Sequence, residues 1–201
     1  MHPDNLSATK SIFLGSRLEP MNTKDDIPER WRGTPIEEFI GIHNFGQTVD
    51  SQATPRLLIV SCIEFRFSLN IPSGFSYVIR TPAGRLSHLP SSEFAMAYTL
   101  AKGVRHVALV GHNDCGMTKV FENAPKLIEA LIEQGWETKE AKKFIESRAS
   151  QFAIDDEIES LKIEFNELKE EFKKIEIAPL FASLKSNRLH YPTWYKNLAV
   201  N

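Results

Sequence analysis

Two cysteines occur in the 201 residues, Cys62 and Cys115, and a histidine, His112, stands three residues before the second. Each group closes a short apolar run, Leu57-Leu58-Ile59-Val60-Ser61-Cys62 in one case and Val107-Ala108-Leu109-Val110-Gly111-His112 in the other. Two thiolates and an imidazole form a borderline-soft donor set that suits Zn²⁺, and three protein ligands leave a fourth tetrahedral position open, as catalytic zinc sites do. A closed structural site would need a fourth strong ligand, and the chain has no third cysteine. The plain alternative is a pair of buried cysteines acting as small hydrophobes. The histidine at that spacing weighs against it.

Glu64 and Arg66 follow Cys62 closely. A carboxylate beside a zinc-bound water can accept its hydrogen bond, or it can occupy the metal itself. An arginine next to it can hold the carboxylate in a bidentate pair and keep it off the metal. A surface salt bridge of small consequence is the competing possibility, and spacing alone leaves the two even.

These residues need strands that end side by side. Leu57–Val60 and Val107–Val110 are continuous apolar runs, which suits strands buried on both faces of a parallel sheet. A further strand is expected at Phe75–Ile79, followed by the turn Thr81-Pro82-Ala83-Gly84. Thr34-Pro35-Ile36-Glu37 opens a helix with a cap, a first-turn proline and a capping-box acid, and Gly46 ends it. Pro90 starts a second helix that stops at Gly103. Strand, strand, helix, strand with short connections predicts an α/β domain with a mainly parallel central sheet flanked by helices. In such sheets sites form beyond the carboxyl ends of the strands, where Cys62, His112 and Cys115 stand.

Downstream, helices are expected over Ala124–Gln134, Thr138–Phe152 and Asp155–Lys174. In the last, Ile154, Ile158, Leu161, Phe165, Leu168, Phe172 and Ile175 are spaced alternately by four and three. That seam fits a helix laid on its own sheet, with packing on a partner subunit as the sharper alternative. The tail from Ile177 to Asn201 receives no assignment. Residues 1–33 read as a flexible or wrapping N-terminal arm on a single domain spanning 1–201.

Hydrophobic residues make up 42% and charged residues 25% of the chain, with a net charge of −2. That composition is ordinary for a globular protein and gives no nucleic-acid footprint. No apolar run approaches a membrane span, and no signal peptide is visible, so a cytoplasmic protein is expected.

Ser61-Cys62-Ile63-Glu64-Phe65-Arg66 and Gly111-His112-Asn113-Asp114-Cys115-Gly116 resemble the paired motifs of the β-class carbonic anhydrases, a Cys-x-Asp-x-Arg segment and a Gly-His-x-x-Cys-Gly segment. Val78-Ile79-Arg80 with Ala83-Gly84 is similar to the family's Arg-Asn-Ala-Gly turn. Ser91–Ala95 and Gly103–Val107 match its next helix and strand in order. The resemblance spans about residues 35–175 and is specific in 57–120. It implies Cys62, His112 and Cys115 as zinc ligands, and Glu64 with Arg66 in place of the Asp–Arg dyad. It further implies reversible hydration of CO₂ to bicarbonate by zinc-activated water, in a homodimer or dimer of dimers.

Three departures stand out. Glu64 is one methylene longer than the family's aspartate. The Ala-Gly turn carries an extra Pro82 and ends in Arg85. The late Tyr-Asp strand and Gly turn are missing. Alternatives in the same scaffold are a zinc hydrolase of carbonyl sulfide or carbon disulfide, and a non-catalytic zinc protein with Glu64 as fourth ligand. A Cys62–Cys115 redox pair ranks last, since it leaves His112 unexplained. His43, His88 and His106 are the possible proton shuttles, His106 least so because it precedes its strand. Ile63, Phe65, Phe67 and Phe45 are candidates for an apolar wall.

Overall fold

The computed structural model describes residues 15–49, 54–87, 89–196 and 198. His88 and residues 1–14 of the expected arm lie outside that set.

A six-stranded sheet runs through the molecule. Its strands are β1 (Leu18–Pro20), β2 (Leu57–Cys62), β3 (Ser76–Thr81), β4 (His106–His112), β5 (Glu176–Ser183) and β6 (Arg188–Pro192), in the order β1-β6-β5-β4-β2-β3. The four strands from β5 to β3 are parallel, while β6 runs antiparallel to β5 and β1 antiparallel to β6. The expected mainly parallel α/β architecture is therefore the observed one. Every residue of β2 is buried, as its unbroken apolar run requires of a strand covered on both faces.

Among the described residues, six α-helices flank the sheet: α1 (Pro35–Phe45), α2 (Pro90–Ala101), α3 (Val120–Glu133), α4 (Thr138–Phe152), α5 (Glu157–Glu171) and the short α6 (Thr193–Lys196). In α1 the Thr34 hydroxyl accepts from the Ile36 N–H and Gly46 ends the helix at φ 65. Glu37 accepts from Gly33 N at 2.6 Å, one residue before the cap. Helix α5 buries Ile158, Leu161, Phe165 and Leu168 against β4 and β5, so the four-and-three seam packs on its own sheet.

Residues 18–31 wrap onto the body. Strand β1 borders β6, and Met21, Ile27 and Trp31 are buried in the main core. The unassigned tail supplies the strand beside β4. Pro179 sits inside β5, where a proline usually breaks a ladder. The ladder to β6 covers only Phe181–Ser183, so Pro179 meets a neighbouring strand on the β4 side alone.

Candidate metal centre

Strands β2 and β4 are parallel neighbours, with Ser61 opposite Val110, so Cys62 and His112 emerge side by side at the carboxyl edge. The chain then turns at once, and Cys115 swings back beneath them. The ligand atoms of Cys62, His112 and Cys115 all lie within 4.8 Å of one another, and all three residues are buried. The two sulfurs are 3.9 Å apart, and both cysteines are free.

The His112–Cys115 loop is held from within and by bonds to three other segments. His112 Nδ1 lies 2.9 Å from the Asn113 carbonyl, and Asn113 Oδ1 accepts from Leu184 N at the end of β5. Asp114, at φ 55, is a non-glycine residue in the left-handed region, which aspartate tolerates better than most. Cys115 N donates to the buried Glu157 at the start of α5, and Thr118 Oγ1 donates to the Cys115 carbonyl. On the other side Arg80 reaches out of β3 and donates to the carbonyls of Cys62, Glu64 and Phe67, at 3.1 to 3.2 Å.

The turn after β3 completes the cradle. Ala83 and Gly84 both take positive φ, and a Cβ on Gly84 would lie 3.4 Å from the backbone of Ser61 and Cys62. This close approach lets the Ala83 N–H reach the Cys62 sulfur. Helix α5 holds the turn from outside: Glu164 Oε1 accepts from Leu86 N, Ser87 N and Ser87 Oγ. Arg85 pairs with Glu164 and Glu167, so it braces the turn and does not stand open to a substrate.

The electrostatics show what the site favours. The hydrogen bond from the Cys115 thiol, joined by His112 and the Ala83 N–H, pulls Cys62 down to about 4 against the cost of burial. Cys115 is pushed up by that same contact and by burial. Two thiols this close cannot both ionise unless a cation sits between them. Burial disfavours a charged His112, but the Cys62 thiolate outweighs it and raises the imidazole pKa. His112 Nε2 is buried and makes no hydrogen bond of good geometry. A buried imidazole nitrogen and two converging sulfurs therefore fit a divalent cation of zinc's softness.

Glu64 stands outside the three-ligand group, and Arg66 holds it. Glu64 Oε1 accepts from Arg66 N and Nε, both at 2.8 Å, and Oε2 accepts from Arg66 Nη2 at 2.7 Å. These bonds, opposed by burial, bring Glu64 down to about 2. Arg66 also donates to Asp114 Oδ2 at 2.7 Å and to the Asp114 carbonyl at 2.9 Å.

The remaining expected residues are placed differently. His43 accepts from Asn70 N through Nδ1 and meets the Asn187 carbonyl through Nε2 at 2.6 Å, so both ring nitrogens are committed to packing. His106 opens β4 at the opposite end of the sheet. Phe67 is in the core, whereas Ile63 is 56% and Phe65 90% exposed. Arg80 and Glu157 were not singled out as site residues by spacing; their partners lie 16 and 42 residues away.

The fold and the cysteine–histidine–cysteine group together define a protein with the β-carbonic anhydrase fold. Structural neighbours are β-carbonic anhydrase isoform I of Trichomonas vaginalis and the carbonic anhydrase of Glaciozyma antarctica. The first has a TM-score of 0.56 and 18% identity over 74% of this chain and 88% of that one. The second has a TM-score of 0.55 and 20% identity over 80% of this chain and 96% of that one. The apo form of a carbon disulfide hydrolase is similar at TM-score 0.53 and 16% identity, over 81% of this chain and 90% of that one. No protein-family model and no curated protein sequence matches the chain.

Proposed function

We propose that the chain is a zinc-dependent carbonate dehydratase that interconverts CO₂ and bicarbonate, with Cys62, His112 and Cys115 as the metal ligands. The observation that carries this reading is the buried three-donor group beside a carboxylate that an arginine keeps occupied. Zinc held by such donors supplies Lewis acidity, bringing the pKa of water from 15.7 towards about 7.

The chain's own residues do the rest. The Ala83 N–H donates to the Cys62 sulfur and the Met117 N–H to the Cys115 sulfur, spreading thiolate charge in the way outer contacts tune a metal site. Glu64 stays anionic across the working range because its pKa is about 2. So acidic a group is a poor proton store at neutral pH. Its role is that of an acceptor, orienting the O–H of the reacting water while Arg66 holds its direction. The exported proton needs another carrier, and His43 and His106 do not serve.

Both carboxylate oxygens of Glu64 are taken by Arg66, which argues against its being a permanent fourth ligand in a non-catalytic protein. The likeness to the carbon disulfide hydrolase supports hydrolysis of a small carbon–sulfur substrate as the second reading. Phe65 and Ile63, exposed beside the ligands, support a homodimer or dimer of dimers, in which a second copy covers them. No helix among the described residues is long and apolar enough to cross a membrane.

Stopped-flow CO₂ hydration by the zinc-loaded protein, run beside carbon disulfide hydrolysis, tests the reading. Hydration above the buffer rate between about pH 6.5 and 9 is expected. Hydrolysis of carbon disulfide without CO₂ hydration moves the chain to the second reading, and neither activity overturns both.

A further inference from the structure

We propose that Asp114 is a positioning residue that keeps Glu64 off the metal by anchoring Arg66 from the side opposite Glu64. This rests on the open metal position of the preceding reading. A guanidinium has five N–H donors in a fixed fork. Arg66 gives Nε to Glu64 Oε1, one Nη2 hydrogen to Glu64 Oε2 and the other to the Asp114 carbonyl, and an Nη1 hydrogen to Asp114 Oδ2. One N–H remains for solvent.

The division of these bonds matters. Glu64 and Arg66 are two residues apart on one loop; the Arg66 backbone N–H pins Glu64 Oε1 there, but no bond within the loop fixes the direction of the guanidinium that holds Oε2. Arg66 is 39% exposed, and an ion pair that water can reach holds little by itself. The bonds to Asp114 tie the pair to the second ligand loop, 48 residues on. Asp114 lies between the ligands His112 and Cys115 and takes its left-handed backbone there. The loop that supplies two ligands therefore also sets the pose of Arg66, and through it that of Glu64. Glutamate needs such a restraint more than aspartate does, because its extra methylene lengthens its reach.

Azide binding to the cobalt(II)-loaded protein, read from the visible absorption of the metal, tests this. Azide takes the fourth position, so it weakens wherever Glu64 competes for that position. Asp114→Gly removes the side-chain anchor and tolerates the left-handed backbone, and it should bind azide about tenfold or more weakly. Asp114→Asn keeps an acceptor for Nη1 and should stay within about threefold of wild type. The double variant Glu64→Gln with Asp114→Gly should regain wild-type azide affinity. Asp114→Ser, too short to reach Nη1, should behave as the glycine variant does and stands in if that variant misfolds. Unchanged azide affinity in Asp114→Gly and Asp114→Ser overturns the proposal, as does a double variant that stays weak. Wild-type protein that takes up no cobalt, or whose spectrum ignores azide, overturns the open metal position and this proposal with it.

Discussion

The sulfurs of Cys62 and Cys115 lie 3.9 Å apart, and the buried His112 belongs to the same tight group of donor atoms. Removing any one of the three should cost most of the metal affinity, since each supplies a quarter of a tetrahedral shell. His112→Ala should release zinc to a competing chelator far more readily than wild type, by about 100-fold or more. Glu64 gives a pH prediction for the metal-free protein. Its carboxyl titrates at about 2 when folded, against 4.5 ordinarily, so the stability it contributes is full above 4.5 and is lost as pH falls to about 2. Urea unfolding should therefore show wild type losing more stability than Glu64→Gln across that window. The convergence of Cys62, His112 and Cys115 was legible in the sequence because cysteine is rare here and each group closes an apolar run. The partners that hold them were not. Arg80 acts on carbonyls, which carry no side-chain signature, and Asp114 finds Arg66 only through the fold.

At the scale of elements, the site depends on a turn that only certain residues can make. Pro82–Gly84 brings a backbone N–H to the Cys62 sulfur, and Gly84 stands at φ 69 with ordinary contact distance to the strand behind it. Gly84→Ala should destabilise the fold by about 1 kcal/mol from the left-handed conformation alone, measurable by thermal or urea unfolding. It should also weaken zinc binding, because the turn positions Cys62. Strands β2 and β4 were legible from their apolar runs, while their neighbouring placement entered only as the condition for the three donors to meet, and the sheet order supplies it. Strand β5 was not. A proline such as Pro179 is unusual in a central strand, and the short reach of β6 leaves it without a ladder partner on that side. The seam of α5 was read first as a face laid on its own sheet, with a partner subunit as the alternative. The sheet beneath it, through Ile177, Leu180 and Phe181, is the answer.

Across the whole molecule, the wrapping N-terminal segment and the C-terminal tail lock each other. Trp31 stacks on Tyr195 at 5.0 Å, its indole N–H donates to the Tyr195 hydroxyl at 3.0 Å, and Arg30 pairs with Glu176 at the head of β5. Tyr195→Phe leaves the buried indole N–H without its partner and should cost about 1–3 kcal/mol in urea unfolding. Zinc content should stay unchanged, because this lock lies at the amino end of β5, away from the ligands. These long-range ties had no local signature in the sequence, which is why the arm and tail carried no firm expectation there. Everything functional converges on the claim that three buried side chains hold one zinc. Zinc per chain, measured in protein purified without chelators for wild type and Cys62→Ser, tests it most directly. The account predicts about one zinc in wild type and under about a tenth of that in the variant. A wild type that neither carries nor takes up zinc, or a variant that keeps it, contradicts the account.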